Sequence, residues 1–115
     1  MPVMPVMSLI WHRATYPIAT NPRAYPPLTS GEATRSGLAC TLFGICSDWD
    51  GSYSVTHLAS GKVCGAASTQ RGAKSLCASL AAIREINWLL TDPLRQVPES
   101  AREEVRRTID AWRDK

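Results

Sequence analysis

The sequence predicts an α+β domain. A three-stranded antiparallel meander, four-stranded if an N-terminal segment joins it, is packed by one helix and followed by a second, C-terminal helix. Three observations carry this expectation. Residues 38–67 hold three runs separated by Asp50-Gly51 and Ser60-Gly61, dipeptides whose glycine supplies the positive φ of a tight hairpin turn. Residues 69–90 repeat apolar side chains at helical spacing, through Ala73, Leu76, Cys77, Leu80, Ile83 and Leu90. Residues 98–113 do the same through Ala101, Val105, Ile109 and Trp112.

Taken in chain order, residues 1–7 repeat Met-Pro-Val and read as a disordered start extension, with Met1, Met4 and Met7 each a candidate start. The single domain is then 8–115. Residues 8–16 fit a short edge strand. Residues 17–37 carry Pro17, Pro22, Pro26 and Pro27. Proline lacks a ladder donor, so the stretch is expected to be an extended surface arm. The meander runs Leu38–Ser47, Ser52–Ala59 and Lys62–Ala67. Ser68 or Thr69 is placed to cap helix 69–90, and Asp92-Pro93 breaks the chain after it. Pro98 suits the first position of helix 98–113, whose other face carries Glu103/Arg107 and Arg106/Asp110 pairs at i,i+4.

The 115 residues suffice for one domain. With 44% hydrophobic and 20% charged residues the chain has ordinary globular usage. This composition excludes a multi-domain enzyme, a collagen-like rod and a coiled coil. The apolar stretch of 69–90 is interrupted by Arg84, Glu85 and Asn87, so a membrane span is not expected. The start has no basic n-region and no apolar core of a secretory leader. The expected compartment is therefore the cytoplasm, where the four cysteines are expected as thiols.

Hairpin turns fix register, and register fixes faces. A two-residue turn centred on Asp50-Gly51 sets Trp49 opposite Ser52, Cys46 opposite Val55 and Gly44 opposite His57. A turn centred on Ser60-Gly61 sets His57 opposite Cys64. One face then carries Cys40, Leu42, Gly44, Cys46, Val55, His57, Cys64 and Ala66, small residues suited to a helix laid across them. The opposite face carries Phe43, Ile45, Leu58 and Val63, with Trp49 at the loop tip beside them. The cysteines read as close-packed core. The competing reading is a zinc site from Cys46, His57, Cys64 and Cys77, although no Cys-x2-Cys or Cys-x4-Cys knuckle is present.

No P-loop, G-x-S-x-G, H-E-x-x-H or G-x-G-x-x-G occurs, so an enzyme is not expected. Asp48 and Asp50 read as turn residues rather than a catalytic carboxylate pair. No cofactor or membrane partner is expected. Function is expected to be protein binding through Trp49, Phe43, Ile45, Leu58 and Val63, since an outer apolar face must be covered, by the chain's own segments, a second copy or a partner. The alternative is a small DNA- or RNA-binding regulator using Arg71, Lys74, Arg102, Arg106 and Arg107. Its motivation is that residues 51–80 carry Lys62, Arg71 and Lys74 and no acid.

Two resemblances bear on this choice. Three strands followed by a helix, in the order of 38–90, resembles AP2-like DNA-binding domains, which implies a sheet face entering the major groove. Here that face offers apolar residues in place of arginine and lysine. Residues 53–82, Tyr-Ser-Val-Thr-His-Leu-Ala-Ser-Gly-Lys and then Ser-Thr-Gln-Arg-Gly-Ala-Lys-Ser-Leu-Cys-Ala-Ser-Leu-Ala, are similar to a hairpin-helix pattern in small phage- and plasmid-borne accessory proteins. That likeness implies an inhibitor neighbourhood, including anti-CRISPR and other anti-defence proteins that act by stoichiometric binding.

Overall fold

The computed structural model describes residues 9–18 and 34–113. The expected start extension and residues 19–33 of the proline-rich arm lie outside them. The α+β class holds, but the sheet has five strands. They are β1 (His12–Pro17), β2 (Thr34–Ala39), β3 (Phe43–Ser47), β4 (Tyr53–His57) and β5 (Lys62–Ala67), followed by α1 (Gln70–Ala81) and α2 (Glu99–Arg113). The order is β1-β2-β3-β4-β5, antiparallel throughout.

The larger strand count has two causes. All the prolines of 17–37 precede residue 28, so Thr34–Gly37 is free to pair, and β2 begins inside the expected arm. The expected single run Leu38–Ser47 is in turn two strands. The chain reverses at Thr41-Leu42, closed by Cys40 N–H donating to the Phe43 carbonyl at 2.9 Å. The Phe43 N–H donates back to the Cys40 sulfur at 3.3 Å. No glycine, proline or asparagine marks this turn.

Both expected hairpin registers are corrected. The β3–β4 loop has three residues, Trp49 to Gly51. Asp48 N–H donates to the Ser52 carbonyl at 2.8 Å and Gly51 N–H to the Asp48 carbonyl at 3.0 Å, while Gly51 takes φ +86°. This is a type I turn closed by a left-handed glycine. The pairs are therefore Phe43↔His57, Ile45↔Val55 and Ser47↔Tyr53. A one-residue slip exchanges faces, so Phe43 and Ile45 turn inward. Between β4 and β5 the pairs are Val55↔Gly65, Thr56↔Val63 and His57↔Lys62, with an irregularity at Val55/Thr56 that absorbs Cys64.

The core lies between the sheet and the helices. Phe43, Ile45 and Val55 meet Leu76, Cys77 and Leu80 of α1, and Ala101 and Val105 of α2 complete the cluster. Thr69 caps α1, its Oγ1 accepting from Gly72 N–H at 2.9 Å. The expected helix to residue 90 stops at Ala81. Ile83, Ile86 and Trp88 are all buried, and a run of tight turns brings them to the core. Leu90, expected on the buried stripe, is 52% exposed. The Trp88 indole N–H donates to the Leu80 carbonyl at 2.9 Å, tying this segment to the end of α1.

On the other face of the sheet the Tyr16 ring covers Gly44. A Cβ at residue 44 would stand 2.5 Å from the ring, so only glycine lets the tyrosine lie there.

Candidate functional site

The β3–β4 tip is the most sharply defined exposed feature. Trp49 is 99% exposed, yet each neighbour is fixed. Asp48 accepts from Arg35 Nη2 at 2.8 Å on one carboxylate oxygen and from Ser54 Oγ at 2.5 Å on the other. Asp50 Oδ1 accepts from the Ser52 hydroxyl at 2.7 Å and from its N–H at 3.0 Å. These Ser52 hydrogen bonds hold the Asp50 carboxyl below the usual carboxylate range. The tip thus presents a bare indole and one carboxylate on a backbone that is already ordered, which lowers the entropy lost on binding.

Behind the tip, on the sheet face away from the helices, lie Tyr16, Arg35, Cys46, Asp48, Ser54 and Thr56. Burial pushes the Tyr16 phenol up, with Cys46 adding to it. The Tyr16 hydroxyl faces Thr56, and neither hydroxyl reaches a well-formed hydrogen bond among the described residues.

The expected partner-binding set is divided. Phe43 and Ile45 are in the core, Leu58 is half-buried, and Trp49 and Val63 are exposed. Val63 pairs with Thr56, which stands four residues along β4 from Ser52, about 13 Å away at about 3.3 Å per residue. The expected contiguous outer patch therefore does not form, because the three-residue loop turned its centre inward.

The alternative basic set is likewise divided. Arg102 is committed to the chain itself, its Nε donating to the Leu94 carbonyl and Nη2 to the Arg95 carbonyl, both at 3.0 Å. Arg71, Arg106 and Arg107 are exposed and Lys74 is half-buried.

The four residues of the competing zinc reading do not converge. Cys64 and Cys77 pack in the core, whereas Cys46 is on the opposite sheet face, paired with Ser54. His57 uses both ring nitrogens elsewhere. Its Nε2 donates to the Trp88 carbonyl at 2.6 Å, and Nδ1 lies 2.8 Å from Ser60 Oγ. Burial pushes the Cys64 thiol up to about 12 and the Cys77 thiol further. Such thiols are poor nucleophiles near neutrality.

Sequence reasoning missed Arg35 and Tyr16, which it assigned to the arm and to an edge strand without a role. No local pattern marks either one. Asp48 was legible as a turn residue, but not as the carboxylate that receives Arg35.

No helix among the described residues is long and apolar enough to cross a membrane. No family model matches the sequence, and no curated protein or solved structure matches it.

Proposed function

We propose that the protein is a non-enzymatic binding protein that engages a protein partner stoichiometrically, with Trp49 as the anchor. One observation supports this above the others: a fully exposed tryptophan on a loop whose flanking residues are each held by hydrogen bonds. Leaving an indole in water forgoes about 1.5–3 kcal/mol of burial, and tryptophan is enriched among residues that dominate interfaces. Asp50 adds a negative charge beside the indole, so the receiving surface is an apolar slot with a basic rim. The likeness of residues 53–82 to mobile-element accessory proteins extends the proposal to inhibition of a host defence complex, CRISPR-type complexes included.

The test is quantitative capture from a bacterial host lysate with wild type, Trp49→Ala and Asp50→Asn, read by mass spectrometry and followed by affinities with the purified partner. The expected result is a partner held at a defined ratio by wild type and lost from Trp49→Ala, with Asp50→Asn weakened in a salt-dependent way. Equal capture by wild type and Trp49→Ala overturns the proposal.

A further inference from the structure

The sheet is not covered evenly. Helix α1 packs on β3, β4 and β5, and α2 packs on β5 and on α1, so the inner faces of β1 and β2 extend beyond the helices as a shelf. The ladder also opens beside it. β1 and β2 pair over six residues and β3 and β4 over five, but β2 and β3 pair only at Leu38↔Ile45 and Ala39↔Gly44. Beside this short ladder, where Gly37 still packs closely on the Ile45 backbone, a solvent-open groove of about 560 Å³ runs between the shelf and the start of α1. Its volume is within the range of small-molecule sites.

The lining has a definite chemistry. Arg13, Thr15 and Ser36 stand on the shelf, Ser47 and Tyr53 at the base of the β3–β4 hairpin, and Gln70 on the α1 wall. None of the described lining residues is acidic. Thr15 and Ser36 hydroxyls are 2.9 Å apart. The side chains of Arg13, Ser47, Tyr53 and Gln70 make no hydrogen bond or ion pair with another described residue. Among the described residues a guanidinium, the Ser47 and Tyr53 hydroxyls and an amide thus line one groove without a partner and without a competing carboxylate, beside a hydroxyl pair that bonds only to itself. Arginine and hydroxyl donors suit phosphate oxygens, a tyrosine ring suits a base face, and a carboxamide suits a base edge.

We infer that this groove binds a nucleotide unit, with Arg13 and the shelf hydroxyls taking phosphate and Tyr53 and Gln70 taking the base. This goes beyond the Trp49 reading and does not rest on it. A free mononucleotide and one unit of a single strand share this chemistry, and the experiment separates them.

The experiment measures anisotropy of fluorescein-labelled octauridylate with the full chain, with AMP and inorganic phosphate as competitors at constant ionic strength. AMP binding is also measured directly by calorimetry. Both run on wild type, Arg13→Gln, Ser47→Phe and the double variant Arg106→Gln/Arg107→Gln, all on exposed positions and each checked by thermal unfolding. The inference expects saturable binding of AMP, of the oligomer, or of both. AMP alone identifies a free-nucleotide site, and oligomer binding displaced by AMP identifies a strand site. Inorganic phosphate competes more weakly than AMP. Arg13→Gln weakens binding about tenfold or more, on the order of one lost charge-assisted hydrogen bond. Ser47→Phe blocks the groove, and the α2 double variant binds as wild type. The inference is overturned if neither probe binds at millimolar concentration, if phosphate competes as well as AMP, or if Arg13→Gln binds as wild type.

Discussion

Arg35 and Asp48 face each other across β2 and β3 where the backbone ladder is absent. Extending the Leu38↔Ile45 register by three residues sets them opposite, and their side chains meet at 2.8 Å. An ion pair therefore holds the two strands together on one side while the groove opens on the other. With side-chain exposures of 29% and 19% the pair is neither fully screened nor fully desolvated. A double-mutant cycle, Arg35→Ala with Asp48→Ala, should give a coupling energy of about 1 kcal/mol in urea unfolding. Additive single effects would mean that the pair does not stabilise the hairpin.

His57 joins the turn segment after α1 to the sheet, through Nε2 to the Trp88 carbonyl and ring contacts with Phe43 and Trp88 at 6.3 and 5.7 Å. His57→Phe retains an aromatic ring but leaves that buried carbonyl unpaired. It should cost about 1–3 kcal/mol in chemical unfolding. A loss below about 0.5 kcal/mol would show that the hydrogen bond is dispensable.

Two glycines should fail for different reasons. Gly44→Ala drives a methyl into the Tyr16 ring and should cost about 1–3 kcal/mol by overpacking. At Gly51 nothing stands within 4 Å of the added Cβ, but φ is +86°, so Gly51→Ala should cost about 1 kcal/mol through the backbone alone. The compensating change Tyr16→Leu should relieve Gly44→Ala and leave Gly51→Ala unaffected. Equal effects on both would contradict the packing of Tyr16 over Gly44.

The buried thiols make stability fall at alkaline pH. Unfolded thiols lose their proton near 9, whereas burial holds the Cys64 proton until about 12 and the Cys77 proton beyond it. Their contribution is complete below pH 9. As pH rises through 9 toward 12 the unfolded chain releases protons that the native state retains, and stability is lost at up to about 1.4 kcal/mol per pH unit per thiol. Urea midpoints should drop between pH 8.5 and 10.5, and less so in Cys77→Ala relative to its own value at pH 8.5. A flat profile would place these thiols in water.

The legible parts of the fold were those written in local periodicity. The α1 stripe Ala73, Leu76, Cys77 and Leu80 and the α2 positions Ala101 and Val105 are buried, and each follows from 3.6-residue spacing. The sheet faces were not legible, because Asp50-Gly51 is compatible with two loop lengths. One added residue sent Phe43 and Ile45 to the core, and with them most of the expected docking face. The turn at Thr41-Leu42 and the early end of α1 had no marker, since buried Ile83, Ile86 and Trp88 mimic a continuing helix while satisfying tertiary packing. Of the candidate site, Trp49 was readable as a loop tip. Arg35 was not, because its partner is set by strand register rather than by sequence distance.

Trp49 is proposed to bind a partner rather than to support the fold. The most direct measurement is the affinity of wild type and Trp49→Ala for the captured partner, with urea unfolding of both. Unfolding midpoints should match, since the side chain is exposed, and affinity should fall by at least about thirtyfold, the scale of a 2 kcal/mol hot spot. Unchanged affinity, or a loss explained by destabilisation of the free protein, would contradict this role of Trp49.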